Sequence, residues 1–207
     1  MLTIASPNTD RTLLTLAELR SAAGATDGSR DAELTVLGDY ISSVITSACQ
    51  VVKAGPIPPT LRLESVTETY RIHQPHDSLT LVRRPVAAIA SVTENDVLLV
   101  ATDYEEDENL LYRLSGDQRI CWPRGEVVVA YSAGYAVVPP DLKYAAMKFV
   151  RSSLQTDDRD PALKRKVTEG VSEYEWWVDP TKDTVVPPEV LDILVRGGYV
   201  RQFGWMS

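Results

Sequence analysis

The spacing of apolar residues changes along the chain, and each change predicts a different element. Thr15-Leu16-Ala17-Glu18 has the form of a capping box, with Leu14 and Leu19 placed as a hydrophobic staple. A short helix is therefore predicted from Thr15 to Ala23, stopped by Gly24. After the turn-rich Thr26-Asp27-Gly28-Ser29, apolar residues fall at Leu34, Leu37, Ile41, Val44, Ala48 and Val51. Steps of three and four draw one stripe along a helix, which should end at Ala54-Gly55, before Pro56.

The prolines of Pro56-Ile57-Pro58-Pro59 forbid helix, and from Leu61 to Ala133 the texture is strand-like. Arg62 to Ile72 is β-branched and partly alternating, and Leu79–Val82, Val86–Val92 and Glu126–Tyr131 are short apolar runs. Glu94-Asn95-Asp96 and Ser115-Gly116-Asp117 read as turns between them. Connections this short suit antiparallel pairing and not parallel crossovers.

Helix returns at Pro139-Pro140-Asp141, where proline suits the first turn and Asp141 complements the dipole. Leu142, Ala145, Ala146 and Phe149 form one face that Met147, Val150 and Leu154 widen, so this helix should be covered from more than one side. The charged stretch Thr156 to Pro161 ends it. Lys164 to Trp177 has no clear period and reads as an extended arm or loop. A last helix is predicted from Pro187-Pro188-Glu189 to Gly197-Gly198.

These elements predict an α+β protein with a helical body of about four helices, an antiparallel β-rich insertion and an extended C-terminal arm. Residues 1–56 are the N-terminal helical part of the body and 57–135 the insertion; 136–198 are the C-terminal helical part with the arm, and 199–207 the tail. Hydrophobic residues make up 44% of the 207, enough for a sizeable core. The formal net charge of -8 at pH 7 provides no positive field for a phosphate backbone, so sequence-specific nucleic-acid binding is not expected. No run approaches the roughly 20 apolar residues of a membrane span, and the first residues lack a basic, then apolar, leader pattern. A soluble chain with no membrane partner is expected.

Candidate chemistry is sparse. Cys49 and Cys121 are too far apart in sequence to suggest a disulfide framework or zinc site, and reduced thiols are the simpler expectation. The two histidines, His73 and His76, flank a proline in a surface-loop pattern with no further ligand nearby. The acidic run Asp103 to Asn109 lacks the glycine and ligand spacing of a calcium loop and reads as a solvated turn. Lys164-Arg165-Lys166 reads as a solvated charged face in preference to a phosphate contact. Tyr131-Ser132-Ala133-Gly134-Tyr135 is no nucleophile elbow. No catalytic residue, metal or cofactor is therefore assigned. The informative feature is aromatic: Trp176, Trp177, Tyr199, Phe203 and Trp205, with Arg201, lie in segments without period and have the composition of an interface anchor.

Three stretches carry a resemblance. Leu16-Ala17-Glu18-Leu19 is followed by Asp31-Ala32-Glu33-Leu34 opening the long helix; Leu81-Val82-Arg83-Arg84-Pro85-Val86 precedes Ile89-Ala90-Ser91-Val92 and Thr102-Asp103-Tyr104. The most specific is Tyr131-Ser132-Ala133-Gly134-Tyr135 and then Val138-Pro139-Pro140-Asp141-Leu142, followed in order by Glu169 to Tyr174 and Pro187 to Leu194. At that junction Gly134 can take the positive φ that ends a strand. The pattern resembles the head-tail connector, or adaptor, family of long-tailed bacteriophages and phage-derived particles.

The resemblance implies a structural protein and not an enzyme. It implies a homo-oligomeric, dodecameric ring beneath a portal protein, next to a stopper or tail-completion protein, with DNA passing through. Its place would be the virion neck, after assembly in a host bacterial cytoplasm. Trp176, Trp177, Tyr199, Arg201, Phe203 and Trp205 are then candidates for contact with the portal or a neighbouring subunit. Asp103, Glu105, Glu106, Asp107 and Glu108 are candidates to face the channel, where like charge would keep the duplex off the wall. Other neck proteins, a non-viral assembly module and a carboxylate-dependent hydrolase are the alternatives.

Overall fold

The computed structural model describes residues 1–157, 165–168, 172–175 and 185–200. The chain forms two units, one of Met1–Arg11 with Gln50–Pro139, the other of Thr12–Cys49 with Pro140–Ser207.

The first unit is built from alternation. In Gly125–Ala133 (β9), Val127, Val129, Tyr131 and Ala133 are buried while the residues between them are not. A strand with one apolar face must cover it, and β9 pairs on both sides, with Glu64–Ile72 (β2) and with Val86–Glu94 (β4). Leu2–Ser6 (β1) extends the sheet beyond β2 and Val97–Leu98 (β5) beyond β4, giving the order β1-β2-β9-β4-β5, all antiparallel. A second sheet joins Ser78–Thr80 (β3), Tyr104–Asp107 (β6), Leu110–Ser115 (β7) and Gln118–Ile120 (β8) around β7. Val66, Leu81, Val92, Leu111, Val129 and Trp122 are among the residues of its core. Trp122 is fully buried, so its indole N–H needs a partner and donates to the Leu111 carbonyl at 3.0 Å.

In the second unit, Leu16–Ala23 (α1) has the expected ends. Thr15 caps it, Glu18 returns the bond, and Gly24 closes it at φ 69. Asp31–Ala48 (α2) packs against α1, and Pro140–Asp157 (α3) packs against α1, α2 and Pro188–Arg196 (α4). Ser42 and Thr46 are tolerated on the buried face of α2 because their hydroxyls donate to the carbonyls of Gly38 and Ser42, each at 2.7 Å. Ser42 Oγ also accepts the Leu13 N–H at 3.0 Å.

Burial works against ionisation of Glu18, but hydrogen bonds from Lys143 and Thr15 outweigh it and hold the carboxyl below its ordinary pKa. A lowered pKa stabilises the fold above the unfolded value, about 4.3 for glutamate, and the contribution is lost as pH falls through the folded value. Thr15→Ala is expected to cost about 1 kcal/mol at neutral pH. The cost should shrink in acid, where protonated Glu18 no longer completes the box; urea midpoints at pH 7 and pH 3 check both.

Several expectations are corrected. The first residues, read as part of a helical body, include strand β1 in the five-stranded sheet. Helix α2 ends at Ala48, not at Ala54-Gly55, because Gln50 turns left-handed at φ 55. The acidic run is a strand, β6, followed by a two-residue turn at Glu108 and Asn109, both with positive φ. Arg165–Thr168 (β10) and Ser172–Glu175 (β11), read as arm or loop, form an antiparallel pair; four-residue strands are too short to show a period. Phe149 and Val150, on the wide apolar arc of α3, are both buried within the chain. The sheets, with five and four strands, are as substantial as the helices.

Candidate functional site

Exposed carboxylates gather on the β6–β7 hairpin. Arg119 on β8 lies across it: its guanidinium sits 3.7 Å from the Tyr112 ring and donates to Glu105 at 3.0 Å and Asp107 at 3.2 Å. The aromatic face and the two carboxylates hold one cation, so part of the negative charge is neutralised locally. Glu106 accepts the Asn109 N–H at 2.8 Å, closing the turn, and Glu108 lies in the turn itself. Asp103 belongs to a short 3-10 turn, where its carbonyl accepts from Arg113 at 2.8 Å. The five acidic candidates thus share one hairpin and its entry.

Of the aromatic and cationic candidates, Trp176, Trp177, Arg201, Phe203 and Trp205 lie outside the described residues. Tyr199 is anchored within its own unit. Its N–H donates to the Leu194 carbonyl at 2.9 Å and its hydroxyl to Asp141 at 2.7 Å. The ring lies so close to Gly197 that a Cβ there would stand 2.4 Å from it. Asp141, expected to complement the dipole of α3, also holds the chain after α4.

A groove opens on the same unit. Tyr40, Val44 and Ala48 of α2 face Val185, Val186 and Leu191 at the start of α4 across a space of about 470 Å³. Tyr40 is 53% exposed and Val185 64%, and Val36, one turn before Tyr40, is 70% exposed. Helix α2 therefore has two apolar rows: Leu34, Ile41 and Ile45 covered inside the unit, and Val36, Tyr40, Val44 and Ala48 at spacing four along the open side.

Buried charge is concentrated in the first unit. Glu64 and Arg83 form an ion pair whose side chains are 0% and 3% exposed. Arg83 also donates to the Val52 carbonyl at 3.1 Å, and Glu64 accepts the Asn8 N–H at 3.1 Å. One helix-like interval along β2, but on the same strand face, Glu68 accepts from the Tyr131 hydroxyl at 2.6 Å, from the Val82 N–H at 3.0 Å and from Tyr70. Burial, and then the Glu68 carboxylate, push both phenols far above their ordinary pKa, so they stay protonated as donors. Glu64 and Glu68 are enclosed and saturated with donors, which suits a structural network better than a substrate. The buried Cys49 thiol is pushed up to about 12 by desolvation. His73 and His76 are exposed, and among the described residues no three His, Cys, Asp or Glu side chains gather as for a metal ion.

No family model matches the chain, and no curated protein does. A chain in the solved virion of a native gene transfer agent particle is similar, with a TM-score of 0.52 at 20% identity over 79% of this chain and 89% of that one. A chain in the neck of an empty gene transfer agent particle, computed with C6 symmetry, is similar with a TM-score of 0.52 at 21% identity, over 79% of this chain and 88% of that one. This chain shares its fold with them.

The groove and the buried network were not singled out from the sequence. The groove had a signal: Val36, Tyr40, Val44 and Ala48 recur every four residues beside the stripe that includes Leu34 and Ile41. The network had a weaker one. Glu64 and Glu68 interrupt the alternation at even positions of β2 that otherwise carry Val66 and Ile72.

Proposed function

We propose that this chain is a structural neck protein of a tailed phage or phage-derived particle, specifically a head-tail connector that sits in a ring beneath a portal. The observation that carries the reading is the shared fold with a chain of a gene transfer agent neck, matched over 88% of that chain. The junction Tyr131 to Leu142 and the order of the other motifs support the connector assignment over a stopper or tail-completion role. Twelve copies in the ring are compatible with the six-fold symmetry applied to that neck. The protein works by recognition and not by catalysis, joining a DNA-filled head to the tail, in the virion neck after assembly in a host cytoplasm.

Within the ring, DNA passes without sequence-specific contact. The β6–β7 hairpin is the proposed channel element: Arg119 offsets part of the charge of Glu105 and Asp107, and Glu106 and Glu108 keep the wall anionic. The tail is the proposed anchor for the portal, with Arg201, Phe203 and Trp205 supplying aromatic and cationic contact, and Trp176 and Trp177 of the preceding arm are proposed to add to it. Tyr199 supports the anchor from inside its own unit through Asp141.

Truncation after Val200 tests the reading, since it keeps Tyr199 seated and removes the rest of the tail. Electron microscopy of the full chain mixed with portal should show a ring seated on the portal, with the hairpin toward its lumen, and the truncated chain should fold but not join. A full chain that never joins a portal sinks the connector assignment, and a ring whose lumen is lined by Lys and Arg ends the proposal that the acidic hairpin faces the channel. Undiminished joining by the truncated chain moves the anchor away from the tail.

A further inference from the structure

The densest stretch of exposed apolar side chains among the described residues is Val97-Leu98-Leu99-Val100, where Val97, Leu98 and Val100 are 63%, 66% and 62% exposed. Single apolar residues on a surface are ordinary, but three within four positions make a patch that marks a contact. The run also forms the outer edge of the five-stranded sheet, since β5 pairs with β4 and with no other strand. Asn95 and Asp96, at φ 47 and 64, make the two-residue turn that folds it back. Edges of this kind are normally blunted by lysine, proline or an inward-pointing charge. From Val97 to Thr102 there is none.

Hydrogen bonding fixes which groups the edge offers. The Leu99 N–H donates to the Val92 carbonyl at 2.9 Å, and β4 and β5 are antiparallel with Thr93 opposite Leu98. Inward and outward residues alternate along such a strand, so Leu99 bonds to β4 while Leu98 and Val100 turn their N–H and C=O groups away from it. Val100 is still extended, at φ -80 and ψ 157, and its carbonyl accepts the Asp103 N–H at 2.9 Å, which leaves its second lone pair open. The edge is symmetric about Leu99. Turned by a two-fold axis through that residue, a second copy brings its Val100 opposite Leu98 and its Leu98 opposite Val100, and each pair can exchange backbone hydrogen bonds in both directions. The side chains match as well, because residues two apart share a face, and Leu98 and Val100 there meet Val100 and Leu98 of the copy. Charge also fits. Counting outward from Leu99, Asp96 reaches the level of Thr102 and Asp103 that of Asn95, so no acid faces an acid.

We propose that two copies of this chain pair through the β5 edge, antiparallel and two-fold about Leu99, so that their five-stranded sheets join into one of ten strands. The open backbone groups and the exposed apolar run are then satisfied by the same contact. Pairing edge to like edge closes the interface, whereas pairing β5 with β1 of another copy leaves a free edge at each end and propagates. A ring of head-to-tail contacts uses other surfaces, so this pairing belongs to the free chain and requires neither portal nor DNA. Such a short run makes a small interface, which places the association in the weak, concentration-dependent class.

The test is sedimentation equilibrium of the full chain from micromolar to millimolar concentration, with Cys121→Ser to remove the exposed thiol. A monomer–dimer equilibrium is expected. Leu98→Lys, at a position exposed enough to leave the fold in place, should weaken it at least about tenfold. Val137→Lys, 80% exposed and outside the run, should leave it unchanged. Register is read separately by oxidising single variants to disulfide-linked dimers. Leu98→Cys mixed with Val100→Cys places the thiols on opposite residues, about 5 Å apart by Cβ, whereas either variant alone leaves them diagonal at about 7–8 Å. The mixture should therefore yield at least about fivefold more linked dimer than either alone. A chain that stays monomeric throughout, association indifferent to Leu98→Lys, or linkage without that preference overturns the proposal. Growth beyond the dimer also overturns it, by assigning β5 to β1 of the next copy. No portal is present in the assay, so its outcome is independent of whether the chain is a connector.

Discussion

Arg83→Ala is expected to destabilise the first unit by about 3–5 kcal/mol, the range for breaking a buried ion pair by removing one partner. The physical reason lies on the carboxylate side. Glu64 is 0% exposed by side chain and faces the core from β2, where water cannot replace the lost guanidinium. The Asn8 N–H at 3.1 Å would be its remaining partner among the bonds described above, and one neutral donor does not offset the desolvation of a full charge. Loss of the bond to the Val52 carbonyl adds little, because Val52 is exposed and water can replace the donor. Replacing both partners at once, Glu64→Met with Arg83→Met, should recover most of the loss, since an apolar pair of similar volume leaves no buried charge. Urea unfolding of the two variants checks this; a single variant that loses less than the double one would contradict it.

Gly134→Ala is expected to be comparably severe, about 3–5 kcal/mol from backbone strain and overpacking together. Gly134 sits at φ 101, beyond the left-handed region that an L residue enters at modest cost. A Cβ there would stand 2.4 Å from the Arg62 carbonyl oxygen and 2.9 Å from that of Leu61, both backbone atoms with no rotamer to change. Retreat is blocked as well. The Gly134 N–H donates to Pro85 at 2.8 Å and the Tyr135 N–H to Leu61 at 2.8 Å, while Tyr135 accepts from Leu63 at 3.0 Å. Thermal melting should show a fall of roughly 10 °C or more. Gly116→Ala is the control: its φ is 60 and nothing lies within 4 Å of the added carbon, so only the ordinary cost of about 1–2 kcal/mol applies. Equal losses at the two glycines would refute the steric account.

The two sites differ in how far they could be read in advance. Gly134 was legible, because a glycine between a strand and a proline-led helix has few other reasons to be there, although the contact with Arg62 was not. The Glu64–Arg83 pair was invisible, since nothing local links residues 19 apart, one on β2 and the other in the bend that leads into β4. The acidic hairpin was half legible: its charge was plain, but the pairing of Tyr104–Asp107 with Leu110–Arg113 hid in a run whose composition disfavours strand. Tyr199 shows the opposite case. Its aromatic character suggested a partner, and the fold also ties its hydroxyl to Asp141, a bond that no local pattern announced.

By itself the sequence determined what nearest neighbours decide. Thr15 and Glu18 cap α1 because the bonds they exchange span three residues, Gly24 and Gly198 close helices because only local sterics forbid other residues there, and Pro188 starts α4 because its ring presets φ. The β-branched apolar run Glu126–Tyr131 identified β9 for the same reason, since strand preference is a property of the residues themselves, while the alternation of its buried side chains came only with the fold. Tertiary structure alone decided which strands lie beside β9, that Leu2–Ser6 joins the sheet through β2, and that α2 covers one of its apolar rows while leaving the other open. These outcomes depend on the area two distant segments bury together and on charges that meet only after folding, and neither quantity is carried by any single stretch of chain.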